Sequence, residues 1–398
     1  MGLSLRGMVA GRVGCSSTQA FDEEAVRQLV EGVLESASLN EAEEQDEIAA
    51  GDETYPTLEE PESDLASMTA ERKIEACLAM ERAAQASDER IRQMQGSYVS
   101  TSTHRRWLKN SYGLDLTSGG QHLVAVCIPI AKDGEATSTG VDLAVCHRQS
   151  ELDPEVLGRS AAAKAVSLLH AEPVPSGSYH VILDRDAMTD LLATFCGSFS
   201  AENAQQKLSL LAGKEGTRVA SEAVTIMDDP LLPGGPASCT FDGEGSATRT
   251  KALVEDGVLV TLLHSRKTAR RQGVKTTGNA VRAGYSSTIR VGPTNLFLRP
   301  GDRAPEELIA AVGEGLFITD VSGLHCGAHP ISGDFSLPCK GFLIERGRKA
   351  RPVERVTVAG NFYRLLESVR EVANDLRFNG NSIASPTVDV GELTIAGT

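Results

Sequence analysis

Four side chains suited to metal binding fall within one short stretch: His325, Cys326 and His329, with Cys339 ten residues further on. Imidazoles and a thiolate suit zinc or a similar ion, and four donors from one loop can close a tetrahedral site. Gly327 and Pro330 oppose a regular helix here, so the spacing of the two histidines does not stack both rings on one face. A glycine-rich turn between strands is the stronger reading, and metal at His325, Cys326 and His329 is the alternative to it.

A second cluster is basic: Arg266, Lys267, Arg270, Arg271 and Lys275. It could contact phosphates, or an acidic segment such as residues 40–64 of another chain. No aromatic residues interleave it to stack bases, which favours a solvated helix face. Paired carboxylates occur at Asp228-Asp229-Pro230 and at Phe241-Asp242-Gly243-Glu244-Gly245. Acidic residues followed by Pro or Gly more often cap backbone N–H groups in turns than transfer protons. The chain has no HExxH zinc helix, GxSxG elbow or Walker A loop, and Gly243-Glu244-Gly245 lacks the third glycine of a nucleotide fingerprint.

These groups must be positioned by about two domains' worth of chain, since there are 398 residues. The net charge is −15, from 54 Asp and Glu against 39 Lys and Arg. Residues 28–71 hold 14 of the carboxylates and no Lys or Arg, which leaves −1 for the remainder. An acidic balance removes the general attraction to nucleic acid and to anionic membranes, so neither is an expected partner. Eight cysteines without a CxxC pair fit a reducing compartment. With no secretory leader and no apolar run of about 18 residues, the expected location is the cytoplasm.

The patterning predicts α+β architecture with largely antiparallel sheets, in two domains, 1–172 and 173–398. Leu3 to Val9 reads as a strand turning through Gly11 into a second. Asp22 reads as the N-cap of a helix with Ala25, Val26, Leu29, Val30, Val33, Leu34 and Ala37 on one apolar face. Residues 40–64 read as a solvated, mobile acidic loop. A second helix is predicted from about Met68 to Met94, burying Ile74, Cys77 and Leu78, with strands and a helix from Pro154 to follow. Beyond Pro173, Pro175 and Gly177 come a strand ending at Leu183, a helix from about Ala187 to Leu211, and then mostly short strands.

The order of short motifs carries more information than any one of them. Asp228-Asp229-Pro230, Phe241-Asp242-Gly243-Glu244-Gly245, Gly278-Asn279-Ala280-Val281-Arg282, Ser332-Gly333-Asp334-Phe335-Ser336, Val356-Thr357-Val358-Ala359-Gly360-Asn361 and Ser385-Pro386-Thr387 follow one another as in the TldD/PmbA family, the modulators of DNA gyrase, which the chain resembles. The resemblance implies a cytoplasmic two-part metalloprotease. Its TldD member carries an HExxxH zinc helix and a later cysteine, and its TldE (PmbA) member shares the fold without those ligands. Laid on that pattern, Ala193, Thr194 and Ser198 stand where His, Glu and His would be, and residues 376–385 hold no Cys-Gly-Lys counterpart. Ala offers no donor and neutral hydroxyls bind zinc poorly, so no catalytic, cofactor or metal residue carries over.

The resemblance therefore implies a non-catalytic subunit for unfolded or small peptides, with zinc in an HExxxH-bearing sibling and a heterodimer or homodimer as the assembly. The alternatives are a divergent metal-dependent hydrolase using His325, Cys326 and His329, or a homodimeric scaffold. Family members usually place further elements ahead of the Gly11-Arg12-Val13-Gly14 segment, so the expectation is either a start codon assigned late or a first domain truncated at its N-terminus.

Overall fold

The computed structural model describes residues 1–42, 47–59 and 61–398. It is α+β with mostly antiparallel sheets, as the patterning predicts. Strands Leu3–Val9 and Arg12–Thr18 form a hairpin whose two turn residues, Ala10 and Gly11, both have positive φ, the geometry that matches strand twist in two-residue turns. Helix Glu23–Leu39, capped by Asp22, lies on this hairpin. It buries Ala25, Leu29, Val33 and Ala37 but leaves Val26, Val30 and Leu34 exposed. Two strands cover only one stripe of the helix, so the broad apolar face read from the sequence is half used.

In the central unit, strands Ile91–Lys109 and Asp115–Asp133 pair along their length. The short strands Ala136–Thr139 and Asp142–Cys146 both pair with the second of these. Helices Ala70–Ser87 and Pro154–Ser167 pack together and against this sheet. The first helix is shorter than predicted, because it ends at Asp88 and the chain pairs with the sheet from Ile91 onward. Its buried residues are Ala76, Met80 and Ala84, whereas Ile74 and Leu78 are exposed. Close approach explains this: a Cβ added at Gly158 would stand 2.2 Å from the Met80 carbonyl oxygen, a separation that only small side chains permit.

The C-terminal unit contains strands Arg348–Asn361, Asp334–Glu345, Gly315–Val321, Gly177–Leu183 and Val388–Ala396 in that spatial order. The last pairs back onto the first, so the five close into a ring in which only Gly177–Leu183 and Gly315–Val321 run parallel. A second sheet has the order Val258–Leu259, Lys251–Glu255, Ile226–Asp228, Leu296–Leu298 and Ile383–Ala384. Helix Arg185–Phe195 follows the strand Gly177–Leu183 and fills the core with Met188, Leu191, Leu192 and Phe195. It stops well short of Leu211. A 3-10 turn Cys196–Phe199 intervenes, Ser200 caps a new short helix Ala201–Gln205, and Phe195 stacks on Phe362 at 4.7 Å between ring centres.

The described part of the acidic stretch is docked, contrary to the mobile loop read from its charge. Tyr55 donates to the Gly245 carbonyl (2.7 Å), and Asp52 accepts from the Ala247 amide (2.6 Å) and pairs with Arg266 (2.9 Å). Glu47 pairs with Arg270. Arg266 also donates to Ser246 Oγ, so it anchors the start of helix Arg266–Gln272, while Arg270, Arg271 and Lys275 are exposed as predicted for a solvated face. The acidic partner proposed on another chain is here supplied by the same chain. Opposite charge and turn amides offset the ordering entropy of the strap. The residues at 43–46 and 60 that belong to the predicted loop lie outside the described residues. Among the described residues no helix is long and apolar enough to cross a membrane.

Candidate functional site

A cleft of about 720 Å³ opens between the central and C-terminal units. Its size falls within the usual range for small-molecule sites. One wall is the segment 139–143 with Lys164 of the neighbouring helix; the other is the polar side of helix Arg185–Phe195, the end of strand Gly315–Val321, and the Lys340, Phe342 and Lys349 side chains. The sequence positions this second wall directly. Asp184 caps the helix by accepting from the Asp186 amide (3.0 Å). Apolar residues at 187, 188, 191, 192 and 195 turn inward, which leaves Asp186, Thr189 and Asp190 on the opposite face, at i and i+4 spacing. Asp320 arrives from strand Gly315–Val321, where the pairing register shifts between Ile318 and Asp320, the kind of irregularity that re-aims a side chain.

Five acidic and five basic side chains line the cleft, so its formal charge is balanced, but they are not all paired. Burial, with Asp320 and Asp186 adding like-charge repulsion, pushes the Asp190 carboxyl up to about 6. Burial also raises Asp184 and Asp320, the latter partly offset by Lys340 at 3.9 Å. Lys349 is lowered by burial, and its ammonium sits 3.8 Å from the centre of the Phe317 ring. Lys164 is engaged by Asp142 at 3.0 Å. Asn379 donates to Asp186 at 2.7 Å, and its own carbonyl oxygen is buried without a partner.

Residues 176–397 match the model of the PmbA/TldA metallopeptidase C-terminal domain, and residues 63–169 that of the central domain. The chain belongs to the TldD/PmbA family. It is 34% identical over 258 residues to a metalloprotease of Methanothermobacter thermautotrophicus, a match covering 62% of this chain and 56% of that protein, little more than half its length. It is 26% identical over 391 residues to the metalloprotease PmbA of Escherichia coli O157:H7, covering 97% and 83% of the two chains. A solved structure from Thermotoga maritima, described as a modulator of DNA gyrase, superposes with a TM-score of 0.91 at 33% identity, covering 99% of this chain and 88% of the other.

The zinc implied by TldD-type members of this family does not fit the residues present. Ala193 is exposed one turn beyond Asp190 and has no donor atom. The Thr194 hydroxyl donates to the Asp190 carbonyl (2.7 Å), and the buried Ser198 hydroxyl shares a hydrogen bond with Tyr363 OH (2.9 Å). Both hydroxyls are engaged in the fold. Among the described residues no three His, Cys, Asp or Glu side chains are placed to hold a metal ion.

That also bears on the cluster at His325, Cys326 and His329. His325 and Cys326 are exposed on a one-turn helix, Leu324–Gly327, and the chain leaves it before the equally exposed His329. Cys339 is buried in its strand, and burial pushes its thiol up to about 12, far from a thiolate. The loop therefore does not gather its donors, because the helix that would stack them ends after four residues.

The family motifs converge instead on a buried polar network in the second sheet. Asp228, fully buried, accepts from Lys251 (2.8 Å), Asn279 Nδ2 (2.8 Å), and the amide and hydroxyl of Thr294 (2.6 and 2.9 Å). Asp229 and Asp242 do the turn chemistry read from the sequence: Asp229 accepts from the Leu231 amide, and Asp242 from the amides of Glu244, Ser246 and Ala280. The cleft carboxylates Asp186, Asp190 and Asp320 were not among the sequence candidates. The first two carried a usable signal, a polar i, i+4 pair opposite a strong apolar face, whereas Asp320 depends on strand pairing that spacing alone does not reveal.

Proposed function

We propose that the chain is a non-catalytic, TldE/PmbA-like subunit of a cytoplasmic TldD/TldE-type metallopeptidase complex that acts on unfolded or small peptides. The observation that carries this reading is the helix running from Arg185 into the Cys196–Phe199 turn, which presents Ala193, Thr194 and Ser198 where zinc donors would stand. Zinc and the hydrolytic step then belong to an HExxxH-bearing sibling. Membership of a family of metalloproteases supports peptides as the substrate class. The cleft, flanked by the edge strands Ala136–Thr139 and Asp142–Cys146, supports a role in holding extended chain, since an unpaired edge can take a further strand by main-chain hydrogen bonds.

The test is reconstitution. This chain and its sibling, purified separately and mixed, are expected to co-elute on size exclusion and to cleave an unfolded peptide only together, with this chain alone inert in excess zinc. Chelator-sensitive cleavage by the isolated chain overturns the non-catalytic reading. Full cleavage by the sibling alone, without association, overturns the subunit role.

A further inference from the structure

We propose that His147 is a proton-controlled latch between the central and C-terminal units: its imidazolium holds both, and its neutral ring holds only one of them. The ring stands between two backbone carbonyls. Nδ1 is 3.2 Å from the Gln121 oxygen on strand Asp115–Asp133, and Nε2 is 3.0 Å from the Gly234 oxygen in the loop that follows strand Ile226–Asp228. Both ring nitrogens therefore face acceptors. A neutral imidazole has one N–H and one lone pair, so it bonds one carbonyl and turns its lone pair on the other. The imidazolium donates to both.

The fold fixes each carbonyl where it is. Strand Asp142–Cys146 pairs with Asp115–Asp133 as far as Cys146 opposite Leu123, so His147 stands at the end of that ladder and its ring reaches a carbonyl just beyond it. On the other side the loop is tied to itself and to its sheet. The Gly235 amide (3.0 Å) and Ser238 Oγ (2.6 Å) both donate to the Leu232 carbonyl, and the Ala237 amide donates to Asn295 Oδ1 (2.8 Å). Gly234 has a φ of +68°, and a Cβ added to it would stand 3.1 Å from His147 Nε2. The missing side chain lets the ring approach this closely. Neither carbonyl is free to swing aside when the ring loses its proton.

The charged groups around the ring come from three elements. In the central sheet, burial, His104 and His147 together lower His122. On the loop of His147 itself, Glu151 accepts from the His147 amide (2.7 Å), and Arg148 is the next residue. From the strap, Glu62 pairs with Arg148 (3.3 Å) and Asp64 accepts from the Gln149 amide (2.8 Å). The facing loop, 230–236, carries no titratable side chain. Two further bonds cross between the units, from Arg106 to the Phe241 carbonyl (2.8 Å) and from Arg377 to the Leu143 carbonyl (2.7 Å). Guanidinium keeps its charge at every physiological pH, whereas the His147 crossing titrates near neutrality. The docked state retains a proton that the undocked state gives up. Docking is therefore strongest below the range in which a free imidazole titrates, near about 6.5, and weakens as pH rises through it. The cleft lies between the same two units, so the latch sets how firmly its walls are held.

The test is hydrogen exchange read by mass spectrometry on the full chain at pH 5.5 and 7.5, corrected for the intrinsic pH dependence of exchange. Peptides covering 229–239 are the reporter. A hydrogen bond from a charged donor outweighs one from a neutral donor, so protection of this loop is expected to fall by about fivefold or more from pH 5.5 to pH 7.5. His147→Gln, a neutral donor at both pH values, is expected to remove that fall. The double variant His104→Gln/His122→Gln keeps His147 and is expected to retain it, and this arm decides the matter if circular dichroism shows that His147→Gln does not fold. Three results overturn the proposal: protection in the parent that is equal at the two pH values or greater at pH 7.5, a fall that survives in folded His147→Gln, or a fall that disappears in the folded double variant.

Discussion

Replacing Asp228 by Asn keeps the shape of the side chain and removes the charge that Lys251 faces. Lys251 is 7% exposed and Asp228 is not exposed at all, so the variant leaves an ammonium in the interior with no counter-ion. The Asn Oδ1 can still accept from Thr294, but its Nδ2 would point at two donors, Lys251 Nζ and Asn279 Nδ2. Stripping one partner from a buried ion pair costs about 3–5 kcal/mol, and that is the expected loss in a urea titration followed by circular dichroism. Lys251→Met should cost less, since Asp228 keeps three donors. The double variant should be more stable than the sum of the single losses requires, by at least about 1 kcal/mol. The pH dependence gives an independent readout. Burial already lowers Lys251, and Asp228 opposes that lowering. Without Asp228 the folded state binds fewer protons at this site than the unfolded chain, whose lysines titrate near about 10.4. Stability therefore rises with pH across that interval, and the deficit of Asp228→Asn against the parent should shrink between pH 7 and pH 10. A loss below about 1 kcal/mol, strictly additive losses, or a deficit that ignores pH would refute the reasoning.

Two further outcomes test the packing and the strap. Gly158→Ala places a methyl group 2.2 Å from the Met80 carbonyl oxygen, so the helices must separate, and a loss of about 1–3 kcal/mol is expected in the same titration; unchanged stability would show that the contact gives way freely. Arg266→Ala removes the Asp52 and Ser246 contacts while sparing the core, so a Glu-specific protease should cut residues 47–59 several-fold faster with the unfolding midpoint little changed; an unchanged cleavage rate would mean that Arg266 does not hold the strap.

Local chemistry was legible in the sequence and long-range pairing was not. Asp22 caps its helix as read, and the apolar series Met188, Leu191, Leu192 and Phe195 forms the buried face read for it, because capping and helical periodicity act within a few residues. Val30 and Leu34 fit the same kind of pattern yet remain exposed, since burial also requires a partner surface wide enough to cover them. The acidic stretch was misread because its charge was weighed against itself. The residues that neutralise it, Arg266 and Arg270, lie more than 200 positions away. Asp228 looked like turn chemistry because Pro230 follows it, and Thr294, 66 residues on, makes it a buried acceptor instead. In the cleft, Asp186 and Asp190 could have been found from the helix alone, whereas Asp320 needed the strand register.

Asp228 and Asp190 show the burial of a carboxylate met in two different ways. Both are carboxylates drawn into the C-terminal unit, and ordering each of them without compensation opposes folding. At Asp228 the chain supplies a lysine, an asparagine and a threonine, so the burial is balanced inside the protein. At Asp190 it supplies no hydrogen-bond or ion-pair partner among the described residues, and it sets two more carboxylates close by. A helix that served only to pack the core with Leu191, Leu192 and Phe195 would be at least as stable with a neutral residue at 190.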